Sequence, residues 1–348
     1  MKLKEHGRLA SALVLVVLSI AALSTSVSST RFGRAETSEP IDPSRYSQRT
    51  CDPGSSIDHV LIVASDGMRA DTLEGLNHPT VKELIQSGFY TRGYTQRDRN
   101  GARIEQGTDQ NVPAIVAGKP LHDIYGTGTG LMEEGYTDPG KPMPTSIETL
   151  FEVAHRNDFY TGFVYSKSKV RTMANPDHRR VRYVRGSNNR SDSQVRNSAV
   201  EFIKSNAARK WYLFAWFSEP DYVQVGASDS YRNSVQRNLN FLADIIATMK
   251  ATCTYANSII ALTADHGMSD GNGHHGTQYW HDPRVYEVPW LLAAPGLNLL
   301  HRRNGPHYNH EVVAAASHLA LGALPAKSDS KIWLEVQRPA TQAVSVVR

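Results

Sequence analysis

The chain alternates between short apolar runs and longer stretches with a helical repeat. After His59, the run Val60 to Ala64 is apolar without interruption and stops at Ser65-Asp66-Gly67, which predicts a strand buried on both faces. Tyr160–Tyr165, Trp211–Phe217, Ser258–Thr263 and Val288–Ala293 read as further strands. Between them, Thr80 to Ser87 reads as a helix closed by Gly88. Ser146 caps a helix reaching Asn157, with Ile147, Leu150, Phe151 and Ala154 on one face. Ser193–Asn206, Tyr231–Lys250 and Glu311–Leu321 read as helices, and Val112 to Ala117 is helix-like. Strands alternating with helices predict an α/β fold with a largely parallel central sheet covered by helices on both faces. Residues 92–110, 124–145, 172–193 and 268–285 are rich in Gly, Asn, Asp and Arg and read as long loops. Loops of that length are uncommon unless they serve function.

The N-terminus changes the picture by setting the compartment. Lys2, Lys4 and Arg8 precede Leu9 to Leu23, which is apolar except for Ser11 and Ser19, and small polar residues follow. This is the layout of a secretory signal peptide over residues 1–29, or of an uncleaved N-terminal anchor. The run is shorter than the roughly 20 residues of a membrane-spanning helix. Either reading places the remainder outside the cytoplasm, secreted or tethered at its N-terminus. Residues 30–56 read as a polar linker and 57–340 as one large domain. Cys51 and Cys253 either pair in such a compartment or remain two buried thiols. Without a Cys-x-x-Cys pair, thiolate metal binding is not expected. The net charge of +4 is small for 348 residues, and the basic residues are dispersed apart from Arg179-Arg180 and Arg302-Arg303. No basic stripe suggests duplex nucleic acid as a partner, although a mild positive excess favours approach of an anionic substrate.

Candidate chemistry lies at the strand ends. Ligands of open parallel sheets bind beyond the carboxyl ends of the strands. Asp66 follows the first strand, Ser218-Glu219-Pro220-Asp221 follows Trp211–Phe217, and Asp265-His266 follows Ser258–Thr263. One aspartate after a strand commonly caps a helix or makes a turn. Three converging on one rim repel each other unless a cation neutralises them. His266 and His275 add imidazoles, and mixed Asp/His sets suit Zn²⁺ or Mn²⁺. Thr108, in Gly107-Thr108-Asp109-Gln110-Asn111 ahead of the helix-like segment, is the candidate nucleophile, since a metal can activate a threonine hydroxyl. There is no Gly-x-Ser-x-Gly elbow, no Gly-x-x-x-x-Gly-Lys phosphate loop and no His-Glu-x-x-His.

These segments resemble the alkaline phosphatase superfamily, and within it the type I phosphodiesterase/nucleotide pyrophosphatase branch. The similarity lies in Val60 to Asp71, Thr108-x-x-Asn111 with Ile115-Val116-Ala117-Gly118, Ser218-Glu219-Pro220-Asp221, and Ala264-Asp265-His266-Gly267-Met268 with His275-Gly276 and Val288-Pro289. The last segment also resembles the phosphoethanolamine transferases. The resemblance implies two divalent metal ions, Zn²⁺ above all. Asp66, Thr108, Asp265 and His266 would hold one, and Asp221 and His275 the other. It implies that Asn111 donates to a phosphoryl oxygen, and that Thr108 forms a phospho-enzyme which water then hydrolyses. The expected substrate is a phosphate ester, diester or monoester, on a nucleotide, lipid or glycan. The sulfatase branch would need a Cys-x-Pro-x-Arg or Ser-x-Pro-x-Arg segment, and the sequence has neither.

One position departs from that pattern. Where the family carries a second-metal histidine four residues after Asp221, this chain has Val225. Three outcomes follow: His274 or His281 fills the place, the second metal binds weakly, or catalysis is lost and the fold serves as a binding module. Transfer of the phospho-group to a lipid or glycan is the alternative to hydrolysis.

Overall fold

The computed structural model describes residues 51, 56–95, 107–120, 123–124, 143–186, 191–223, 225–271, 273, 281–301, 306–325 and 334–337. The N-terminal signal or anchor and most of the linker lie outside the described residues, as do His274 and His275.

A seven-stranded sheet forms the frame, in the order β2-β7-β6-β1-β5-β3-β4. β1 (His59–Ser65) lies at its centre, parallel to β5 (Trp211–Phe217) on one side and to β6 (Ser258–Thr263) on the other. β3 (Tyr160–Tyr165) and β4 (Tyr183–Gly186) continue the parallel set beyond β5. β7 (Glu287–Ala293) runs antiparallel to β6, and β2 (Gly88–Tyr94) antiparallel to β7. A separate hairpin pairs β8 (Asn298–His301) with β9 (Leu334–Gln337).

Both faces of the sheet are covered, and the period of two along β1 shows how. Val60, Ile62 and Ala64 enter one core with Val112 and Ile115 of α3 (Thr108–Ala117), Leu150 and Phe151 of α4 (Leu150–Arg156) and Val312 and Val313 of the last helix (Asn309–Leu321). Leu61 and Val63 enter the other, with Val195, Ala199 and Phe202 of Asp192–Asn206 and Val235, Leu239 and Leu242 of Asp229–Ala251. A strand packed on both sides has no polar face to alternate, which is why its sequence is continuously apolar.

Several elements differ from the sequence reading. Gly88 begins β2 rather than closing a helix; a Cβ there would lie 2.1 Å from the Leu292 carbonyl oxygen of β7. The sheet edges β2 and β4 fall partly in stretches read as loops, because strands exposed on one side lack an apolar run. Cys51 and Cys253 form a disulfide across 202 residues of sequence. Among the described residues no helix is long and apolar enough to cross a membrane.

Arg179, one of the clustered basic residues, is fully buried. Its guanidinium donates to the carbonyls of Met143 (3.2 Å), Pro144 (2.5 Å), Thr145 (3.2 Å) and Ile147 (2.6 Å). It also lies 3.5 Å from Glu152. Arg179→Met removes the guanidinium donor from these carbonyls and the ionic partner of Glu152, which keeps its hydrogen bonds from Thr149. It should lower the unfolding free energy by about 3 kcal/mol. Urea denaturation measures this, and an unchanged midpoint would contradict the buried role.

Candidate metal centre

Three adjacent strands, β6, β1 and β5, deliver Asp265, Asp66 and Asp221 to one rim of the sheet. The turns that follow them are tightly set. Gly67 has φ +76°, and the Asp221 backbone lies 3.1 Å from where a Cβ would sit, so only glycine lets these two turns meet. A Cβ on Gly267 would come within 2.0 Å of the Arg284 carbonyl oxygen. The Asp-Gly and His-Gly pairs therefore exist for close backbone approach. Asp265 Oδ1 accepts from Gly67 N (3.1 Å) and His266 N (3.0 Å), which ties the end of β6 to the end of β1.

One atom from each of Asp66, Asp221 and His266 lies within 4.8 Å of the others, all three residues buried. His266 Nε2 stands 3.4 Å from Asp66 Oδ1, 3.5 Å from Asp265 Oδ2 and 3.8 Å from Asp221 Oδ1. His266 Nδ1 is 2.9 Å from the Gly267 carbonyl, which can only accept, so Nδ1 carries the proton. In the neutral ring, Nε2 then turns its lone pair toward three carboxylates. Asp66 Oδ1 and Asp265 Oδ2 are buried without a hydrogen-bond partner. Electron-pair donors facing one another in a buried site require a cation between them, so this donor set fits a divalent metal ion.

On its other side the cluster meets a residue that the sequence reading did not single out. Lys167, two residues beyond β3, places Nζ 2.8 Å from Asp66 Oδ2, 2.9 Å from Asp221 Oδ2 and 3.0 Å from Thr108 Oγ1. Burial pushes a lysine pKa down, but Asp66, Asp221 and Asp265 outweigh it and hold this ammonium above the ordinary lysine range. Burial drives the carboxyls the other way. Asp66 is raised well above the usual carboxylate value by burial and by Asp265 and Asp221, with Lys167 opposing. Asp265 is raised to about 6, by burial and then Asp221, again against Lys167. Three carboxylates are thus short of positive charge even with the lysine present.

Thr108, the first residue of α3, is buried with its hydroxyl on Lys167. Asn111 is fully buried one turn along. Its amide donates to the Gly107 carbonyl (3.1 Å) and its oxygen accepts from Asn309 (3.1 Å). Asn309 also reaches the Asp265 carbonyl (3.3 Å), which links α3 to the end of β6. Val225 is half-buried, and next to it Gly226 N donates to the Ser269 carbonyl at 2.8 Å. His281 is exposed, and His275 lies outside the described residues. The structure therefore brings together Asp66, Asp221, Asp265, His266 and Thr108, and adds Lys167. A rule that scanned strand ends for any charged residue, rather than for carboxylates alone, would have found Lys167.

An α/β sandwich with this set at the carboxyl ends of β6, β1 and β5 shares its fold with solved proteins of the alkaline phosphatase superfamily and with sulfatases. The chain is a member of the Sulfatase family, whose model matches residues 58–323. Similar solved structures include an alkaline phosphatase superfamily protein from Vibrio parahaemolyticus, with TM-score 0.53 and 14% identity over 80% of this chain and 69% of that one. The lipoteichoic acid synthase LtaP from Listeria monocytogenes is similar at TM-score 0.51 and 13% identity, covering 81% and 76%. A 2-O GAG sulfatase is similar at TM-score 0.52 and 12% identity, covering 79% and 73%. These identities speak to the fold alone. No curated protein matches by sequence. The matched span holds no Cys-x-Pro-x-Arg or Ser-x-Pro-x-Arg segment, so family membership does not by itself set a branch.

Proposed function

We propose that the protein is a metal-dependent phosphoesterase in which Thr108 attacks phosphorus beside one divalent cation and the ammonium of Lys167. The observation that carries this reading is Lys167, which touches the Thr108 hydroxyl and two carboxylates. With Val225 in place of a histidine, a lysine charge substitutes for an ion that has lost a ligand.

Asp66, Asp221, Asp265 and His266 would hold the cation, Zn²⁺ or Mn²⁺ by the chemistry of such donors. Bound there, it would supply Lewis-acid charge to the ester. Lys167 is an ammonium and so no general base; its part is to stabilise the Thr108 alkoxide and the charge growing on the phosphoryl oxygens. The Thr108 oxygen bonds to phosphorus as the ester P–O bond breaks, its proton leaves through solvent, and the departing oxygen is protonated. Water then cleaves the phospho-threonine. Asn111 steadies the α3 terminus through Gly107 and Asn309. The Cys51–Cys253 disulfide supports an extracytoplasmic location, in keeping with the apolar N-terminal segment.

Metal analysis with a panel of aryl phosphodiester, phosphomonoester and sulfate ester tests the reading. About one equivalent of divalent metal per chain and turnover of a phosphoester are expected, with free phosphate-type product whether or not an alcohol acceptor is added. Two equivalents would restore the two-metal alternative. No metal and no turnover would leave a binding module, and turnover of the sulfate ester alone would replace phosphorus by sulfur as the target.

A further inference from the structure

The Lys167–Asp221 pair joins two segments, one after β3 and one after β5. Behind them lies Asp192, the first residue of the helix Asp192–Asn206, with 3% of its surface exposed. Its carboxylate reaches both segments. Ser166 Oγ donates to Asp192 Oδ1 at 2.5 Å, Ser218 N donates to the same oxygen at 2.8 Å, and Glu219 N donates to Oδ2 at 2.9 Å. The hydroxyls of Ser166 and Ser218 lie 2.9 Å apart. Ser166 immediately precedes Lys167, and Glu219 stands two residues before Asp221.

We infer that Asp192 is a positioning residue, which fixes Lys167 against Asp221 by clamping the two segments that carry them. The inference builds on the role given to Lys167 above. An aspartate in the first turn of a helix ordinarily serves that helix's own N–H groups or its dipole. Here the hydrogen bonds run instead to the ends of two neighbouring strands. Both oxygens accept from backbone N–H, so the clamp needs two acceptors on one planar group. Asparagine keeps the shape and offers one acceptor only; its NH₂ would face the Glu219 N–H.

The test uses Asp192→Asn, Lys167→Met and the double variant, each in the full chain. Steady-state turnover of bis(p-nitrophenyl) phosphate is read beside trinitrobenzenesulfonate labelling of lysines, mapped by mass spectrometry. Asp192→Asn should lower kcat about tenfold with KM within twofold, as expected for loss of a second-layer anchor. In the Lys167→Met background it should lower kcat no further. Labelling of Lys167 should accelerate at least tenfold, while Lys169, bound to Asp109 at 2.5 Å, reacts as before. Equal losses in both backgrounds, or faster labelling of Lys167 and Lys169 alike, would mark Asp192 as merely structural and overturn the inference. If the wild type turns over no ester, the phosphoesterase reading fails while the labelling still decides the clamp: an unchanged Lys167 rate defeats it.

Discussion

Lys167→Met should reduce kcat for an aryl phosphodiester by about three orders of magnitude, with the folded structure retained. The reason is charge. The three carboxylates Asp66, Asp221 and Asp265 would be neutralised by a divalent ion together with the Lys167 ammonium. Methionine matches the length of the stem but leaves −1 beside an entering anion, and it removes the donor on Thr108 Oγ1. Loss of one preorganised group that stabilises developing charge costs about 10²–10³ in kcat, and here the same change also leaves buried carboxylates without their partner. Lys167→Arg should not rescue, because a planar fork does not fit where one Nζ meets three oxygens from three directions. Steady-state kinetics with circular dichroism decide the point. A folded Lys167→Met variant with wild-type kcat would show that this ammonium plays no part in the reaction.

Thr108→Ala should abolish turnover, by roughly 10⁴-fold or more, the scale on which a covalent nucleophile is lost. Alanine keeps the helix start: Gly107 is the N-cap, and the Thr108 side chain caps nothing. The melting temperature should therefore hold while activity disappears. Thr108→Ser should retain part of the activity, since it preserves the hydroxyl but frees its rotation. Rapid-quench trapping of phospho-threonine in the wild type, with none in Thr108→Ala, checks the same step from the other side. Undiminished turnover in Thr108→Ala would move the nucleophile elsewhere.

Much of this centre was legible because buried parallel strands announce themselves. Val60–Ala64 and Ser258–Thr263 could be read as strands from their unbroken apolar runs, and the rim rule then pointed to Asp66 and to Asp265-His266. Asp221 was found although it stands inside a five-residue helix, Glu219–Val223, too short to leave a periodicity. What the sequence hid was pairing across space. Nothing local ties Lys167 to Thr108, 59 residues earlier, or to Asp221, 54 later. Nothing local singles out Asp192, because its partners Ser166 and Glu219 lie 26 and 27 residues away, just beyond β3 and β5. The burial of Arg179 left no sign in the sequence because the carbonyls it serves lie more than 30 residues upstream.

The order β6-β1-β5 has one more consequence. Each of the three carboxylates hangs from its own strand, and the strands are immediate neighbours about 4.8 Å apart. The sheet itself is then the gauge that spaces the donors, and the surrounding rim can diverge in length and composition without disturbing that gauge. Chemistry and recognition are inherited separately in such an arrangement. Solved structures at little more than a tenth sequence identity share this fold, as expected where the sheet rather than the rim sets the spacing.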